Sequence, residues 1–214
     1  MTTTALPVDI DTPHGPARVT RHDADRPRAL LLLGHGAGGG ITAPDLLAAT
    51  RAALESGVSV GLVEQPYRVA GRRAPAPAAQ RDAAWLTVAA AQRRAQSRAQ
   101  PDRLPLLFGG RSSGARVACR TATVGGAAGV LCLAFPEHPP GKPEKTRLPE
   151  LASPTVPILV VQGANDPFGV PEPVANRAVV VLRGDHSLKS DMPGLRVAVA
   201  AWLPLVLAGS VPAR

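Results

Sequence analysis

Three glycine-flanked residues carry the first chemical signal in this chain. Gly110-Arg111-Ser112-Ser113-Gly114 fits G-x-S-x-G, with an apolar run of strand length before it (residues 104–108) and a small-residue, helix-compatible run after it (115–119). A serine at a sharp strand-to-helix turn has a strained backbone and a hydroxyl pushed out above the sheet. Glycines two before and two after keep Cβ atoms out of the crossing. The same turn sets the next backbone N–H, that of Ser113, near a helix N-terminus, where it can stabilise a developing oxyanion. Gly and Ser are common in loops, so this pattern needs a base and an acid elsewhere before it means a nucleophile.

Both are present, in order. Asp166 lies in Gly163-Ala164-Asn165-Asp166-Pro167 and His186 in Arg183-Gly184-Asp185-His186-Ser187. Serine needs an adjacent imidazole to take its proton, and the imidazole needs a carboxylate to fix its tautomer and stabilise its cation. The order Ser112, Asp166, His186 is that of the α/β-hydrolases. Taken singly, Asp166 could be a turn residue in Asn-Asp-Pro and His186 a loop histidine. Asp185 is the rival acid, but adjacent residues rarely present a carboxylate squarely to the next ring, so Asp166 is preferred.

Residues 34–39, Gly-His-Gly-Ala-Gly-Gly, also fit the dinucleotide fingerprint G-x-G-x-x-G. That fold wants an acidic residue about 20 positions on, at the end of the second strand. Glu55 has the spacing but falls in a helical pattern, and Glu64 is too far along. The hydrolase reading uses the same glycines as a flexible turn that brings a backbone N–H to the serine, with Ala37 as the second oxyanion donor.

The elements must put these residues at strand ends. Apolar runs at 29–33, 58–63, 104–108, 129–135, 157–162 and 178–182 read as buried strands, alternating with helical patterns at 44–56, 78–100, 115–123 and 191–207. Short strands at 5–10 and 17–21, with Pro13, Gly15 and Pro16 between them, predict an edge hairpin. Residues 67–77 and 136–150 read as loops, 170–175 as a short turn or helix, and Pro204 as a kink or end of the last helix. This alternation predicts one α/β domain over 1–214, a mostly parallel, doubly wound sheet flanked by helices, with ligands beyond the strand C-termini.

Composition narrows the function. Aromatics are only 3 %, so the core must be aliphatic. The net charge of +8 is nearly all arginine, scattered through the chain and without zinc spacing, an RNP-like run or a recognition helix; it reads as base-composition bias rather than a nucleic-acid surface. Cys119 and Cys132 fall in apolar runs and read as buried free thiols. The N-terminus lacks the basic and apolar regions of a signal peptide, and the apolar run 197–208 is too short for a span. A cytoplasmic protein with no membrane partner is expected.

Four stretches, GHGAGG (34–39), GGRSSGAR (109–116), FPEHPPGKPEK (135–145) and QGANDPFG with GDHSL (162–169, 184–188), resemble the KANL3/Tex30-type branch of the α/β-hydrolase superfamily, near the dienelactone hydrolases. The resemblance covers most of the chain from residue 29. It implies a compact serine hydrolase fold without a lid domain, with Ser112 as nucleophile, Asp166 as acid and His186 as base. Dienelactone hydrolases proper use cysteine where this chain has Ser112. Some eukaryotic relatives are subunits of chromatin complexes, which leaves a non-catalytic interaction module as the alternative. The expected activity is hydrolysis of a small-molecule ester or thioester, with no metal and no cofactor. His35, His138 and Lys142 are candidate substrate-binding residues, and the Pro-rich loop 135–145 is expected to wall the pocket as a stiff rim.

Overall fold

The computed structural model describes residues 6–99 and 104–209. The sequence expectations at residue 5 and at residue 100 lie outside them. The apolar runs become the strands β1 Val8–Ile10, β2 Ala17–His22, β3 Ala29–Gly34, β4 Val58–Glu64, β5 Leu106–Arg111, β6 Val130–Leu133, β7 Ile158–Gly163 and β8 Arg177–Leu182. They form one sheet in the order β1-β2-β4-β3-β5-β6-β7-β8. The β1–β2 hairpin pairs antiparallel to its neighbours, and every other pairing is parallel.

Every residue of β3 is buried, because helices cover both faces. Leu31 and Leu33 pack on α1 (Pro44–Glu55) and α6 (Met192–Leu207). Leu30 and Leu32 point the other way, toward α3 (Ala78–Ala99), α4 (Ser113–Thr121) and α5 (Leu148–Ala152). Period-2 alternation in a strand thus feeds two cores at once. Both are aliphatic, with Trp85 edge-on to Phe108 at 5.5 Å between ring centroids as the main aromatic contact of the second. That second core also holds Cys119 of α4 and Cys132 of β6, with Sγ atoms 3.5 Å apart.

After β3 the chain crosses to β4 on one side, then returns through α3 to β5 on the other. The sheet's switch point therefore lies between β3 and β5, the place above the strand C-termini where sheets of this kind bind ligands. The 34–39 turn leaves β3 there, and Ser112 leaves β5 there.

Several local expectations are corrected. A short helix α2 (Pro66–Val69) interrupts the predicted 67–77 loop, started by Pro66 at its first position. Residues 170–175 form no helix; the turn that was the other half of that expectation closes at 174–177 through an isolated Val174–Arg177 bridge. The loop expected over 136–150 ends in α5, which starts at Leu148. Pro204 does not end α6, which continues to Leu207. Pro204 sits on its exposed side within the last turns, so only one hydrogen bond of the ladder is lost. The stretch Lys189–Leu207 is long and apolar enough to cross a membrane by length and composition. Its Leu195, Val199, Trp202 and Leu203 nevertheless pack in the core.

Candidate active site

Ser112 has φ +50° and ψ −108°, a backbone conformation that L-residues with a side chain seldom adopt. Its N–H donates to Leu133 O at 2.8 Å, which ties the elbow to the end of β6. The expected purpose of the glycines is met by geometry. A Cβ on Gly110 would stand 2.6 Å from Gly34 O, and one on Gly114 would stand 2.3 Å from the same oxygen. Only bare Cα atoms let α4 start so close to β3. Ser113 is the first residue of α4, so its N–H has no intrahelical acceptor.

The loop after β8 carries His186 over Ser112, with Nε2 3.0 Å from the Ser112 Oγ. Its Nδ1 lies 2.8 Å from Asp166 Oδ2. A carboxylate only accepts, so the proton sits on Nδ1 and leaves Nε2 free to accept from the hydroxyl. The Asp166 side chain is fully buried. Its Oδ1 accepts from Phe168 N–H at 2.9 Å and its Oδ2 from Gln162 Nε2 at 2.7 Å. The Phe168 ring stacks on the imidazole, with centroids 4.2 Å apart. Asp185 is turned elsewhere, holding Ser187 N–H at 2.8 Å and Ser187 Oγ at 2.6 Å, bonds that lower its pKa.

Four supports of this arrangement are absent from the sequence reading. Gln162, fully buried at the end of β7, donates to Phe135 O, Asp166 Oδ2 and Gly169 O. Three acceptors around one nitrogen fix the orientation of its amide. A lone Gln closing an apolar strand, Ile-Leu-Val-Val-Gln, was its visible signal. Arg111 pairs through Nε with the buried Asp45 of α1 at 2.9 Å and donates through Nη2 to His186 O at 3.2 Å, joining the elbow to the histidine loop. Tyr67 donates its hydroxyl to Ala37 O at 3.0 Å, which orients the 34–39 turn. Arg81 donates to Ser113 Oγ.

Of the residues expected to bind substrate, His35 is corrected. It is 3 % exposed, and both ring nitrogens are used: Nδ1 donates to Gly36 O at 2.7 Å and Nε2 accepts from Gln65 N–H at 3.1 Å. Burial above all pushes its pKa down, so the ring is a neutral brace for the turn. The loop 135–147 lies against the Asp166 loop, with His138 N–H donating to Phe168 O at 3.0 Å and Glu137 packed on Gly169. The His138 ring is half-buried, its Nδ1 2.9 Å from Pro139 O. Lys142 is exposed in a turn closed onto Pro139 O and is not part of the hydrogen-bonded cluster. Among the described residues no cluster of three or more His, Cys, Asp or Glu could hold a metal ion.

Fold and site define an α/β-hydrolase architecture, and the comparisons agree. A family model described as "Alpha/beta hydrolase domain" matches residues 27–193, and the chain belongs to that family. Among solved structures it is similar to an α/β serine hydrolase homologue from Coxiella burnetii, with TM-score 0.75, 17 % identity and coverage of 95 % of this chain and 99 % of that one. A serine hydrolase without a lid from Xanthomonas campestris gives 0.72, 21 % identity, and 99 % and 98 % coverage. A dienelactone hydrolase from Anabaena variabilis gives 0.70, 15 % identity, and 99 % coverage of each chain. No curated protein matches the chain in sequence.

Proposed function

We propose that this protein is a cofactor-independent serine hydrolase of the KANL3/Tex30-type branch, acting in the cytoplasm on a small-molecule carboxylic ester or thioester. The observation that carries the reading is the continuous chain from Ser112 Oγ through His186 to Asp166, at 3.0 and 2.8 Å, on a strained elbow at the sheet's switch point.

Ser112 Oγ attacks the acyl carbon while its proton passes to His186 Nε2. Asp166 holds the Nδ1 proton and stabilises the imidazolium without taking it. The carbonyl oxygen becomes an oxyanion beside the N–H groups of Ser113 and Ala37, each donor of this kind contributing about 10²-fold or more. Collapse breaks the bond to the leaving oxygen or sulfur, which takes the proton from Nε2. Water then gives a proton to Nε2 and attacks the acyl-enzyme; the second collapse releases the acid and returns the proton to Ser112.

A fluorophosphonate probe tests this directly. The wild type should be labelled at Ser112. Ser112→Ala should fold, escape labelling, and lose at least roughly 10³-fold in esterase rate. A folded wild type that neither takes the probe nor cleaves any ester or thioester would instead favour the interaction module.

A further inference from the structure

Beside the oxyanion turn lies a pocket of about 200 Å³, walled by Gln65, Tyr67, Gln80 and Arg81, with Arg72 at its rim. Among the described residues no Asp or Glu lines it. Arg81 is its unusual member. The residue is 8 % exposed, yet no carboxylate among the described residues pairs with it. Nε donates to Ala76 O at 2.9 Å and Nη1 to Ser113 Oγ, both neutral acceptors. Nη2 has no acceptor among the described residues and is not a fully buried atom. Burial, then the charges of Arg120 and Arg116, depress its pKa. Asp82, the acid whose charge Arg81 feels, is already held by Arg120 at 2.7 and 2.8 Å. A cation taken out of water without a counter-charge is costly, and it is kept where something else supplies that charge.

Two walls of the pocket connect to the candidate oxyanion donors. Tyr67 holds Ala37 by its carbonyl, and Arg81 holds Ser113 by its hydroxyl. A group bound at Arg81 would therefore touch the side chains that brace both residues offering the candidate oxyanion N–H groups. We propose that this pocket is an anion subsite, in which Arg81 receives a carboxylate on the acyl part of the substrate, so that the substrate is a half-ester or half-thioester of a dicarboxylic acid. One buried guanidinium matches one negative charge. The second charge of a phosphate monoester would find only surface groups, Arg72 and His14, and no second buried cation. The proposal rests on the hydrolase reading for its reaction, though not for its binding.

The test compares the p-nitrophenyl half-ester of glutaric acid with p-nitrophenyl valerate, which differ by carboxylate against methyl at the chain end. In the wild type, kcat/KM should favour the half-ester by about tenfold or more, the value of one charge-assisted contact. In Arg81→Met, checked for folding by circular dichroism, that ratio should collapse toward one, and Arg81→Lys should recover part of it. No preference in the wild type overturns the subsite, and that result needs no variant. An unchanged ratio in folded Arg81→Met overturns it as well. If neither ester is cleaved, calorimetry with glutarate separates the two readings. Binding to the wild type and to Ser112→Ala, lost in Arg81→Met, supports the subsite while the hydrolase reading fails; no binding sinks both. Tighter binding of inorganic phosphate than of glutarate overturns the carboxylate assignment.

Discussion

At the scale of single residues, what distinguishes Asp166 from Asp185 is what each is already holding. Asp166 is locked by Gln162 and the Phe168 N–H with one oxygen turned to His186, whereas Asp185 caps its own turn at Ser187. In Asp166→Asn the amide N–H₂ can face His186 Nδ1. That would force the ring into the tautomer with its proton on Nε2, unable to accept from Ser112. Asp166→Asn should therefore lower kcat by about 10³-fold or more with little change in fold, while Asp185→Asn should stay near the wild-type rate. Esterase assays on the two purified variants decide it; the reverse ranking would move the acid to Asp185. The three residues were legible in sequence because each stands alone at a strand end. Gln162 showed only as a lone polar residue closing an apolar strand, and Tyr67 and Arg81 not at all, because their roles depend on partners brought together only by the folded sheet. Arg81 meets Ser113 from 32 residues away, and Tyr67 meets Ala37 from 30.

At the scale of elements, the elbow is a packing problem before it is a chemical one. α4 begins within van der Waals distance of the backbone of β3, and that contact exists only because position 114 has no side chain. Gly114→Ala must push α4 away from Gly34 O, and such overpacking costs about 3 kcal/mol. The melting temperature should fall by several degrees, on the order of 5 °C or more. Gly40→Ala, where a new methyl meets nothing within 4 Å, is the control and should melt close to the wild type. Long apolar runs made the strands readable one by one. The shortest helix was not readable: the four residues of α2 carry too few side chains for a period to show. Pro204 misled for a related reason, since a proline rule describes the backbone and takes no account of how firmly Trp202, Leu203 and Val206 anchor the helix on the sheet.

At the scale of the whole molecule, burial of His35 makes stability depend on pH. Desolvation, with smaller contributions from Arg68 and Arg81, holds its folded-state pKa below the ordinary 6.5, so the unfolded chain binds the proton first. The unfolded state then carries more protons than the native one below that value, and stability falls as pH falls. The contribution is fully present above about pH 6.5 and is lost as pH drops through the folded value. Thermal melts from about pH 7.5 to pH 5 should show a falling Tm, and His35→Asn, whose amide can stand in for the Nδ1 donor but cannot take up the proton, should show a shallower slope. A slope unchanged in that variant would place the acid sensitivity elsewhere.

The two sulfurs between α4 and β6 turn the molecule into its own stopwatch. Cys119 and Cys132 are 1 % and 0 % exposed, and burial drives the Cys119 thiol well above its usual pKa, so the closed protein keeps both sulfurs out of a thiol reagent's reach and holds the Cys119 sulfur protonated. Modification can proceed only when α4 lifts from the strand beneath it, and that same movement carries Ser112 and Ser113 out of register. Labelling with Ellman's reagent should therefore be slow in the native protein and yield two equivalents under denaturant. The two sites should react at one shared rate, because one opening uncovers both. Phosphonylating Ser112 with the fluorophosphonate, which displaces fluoride, should slow that rate, since a group held between the elbow and the 34–39 turn would hold the helix down.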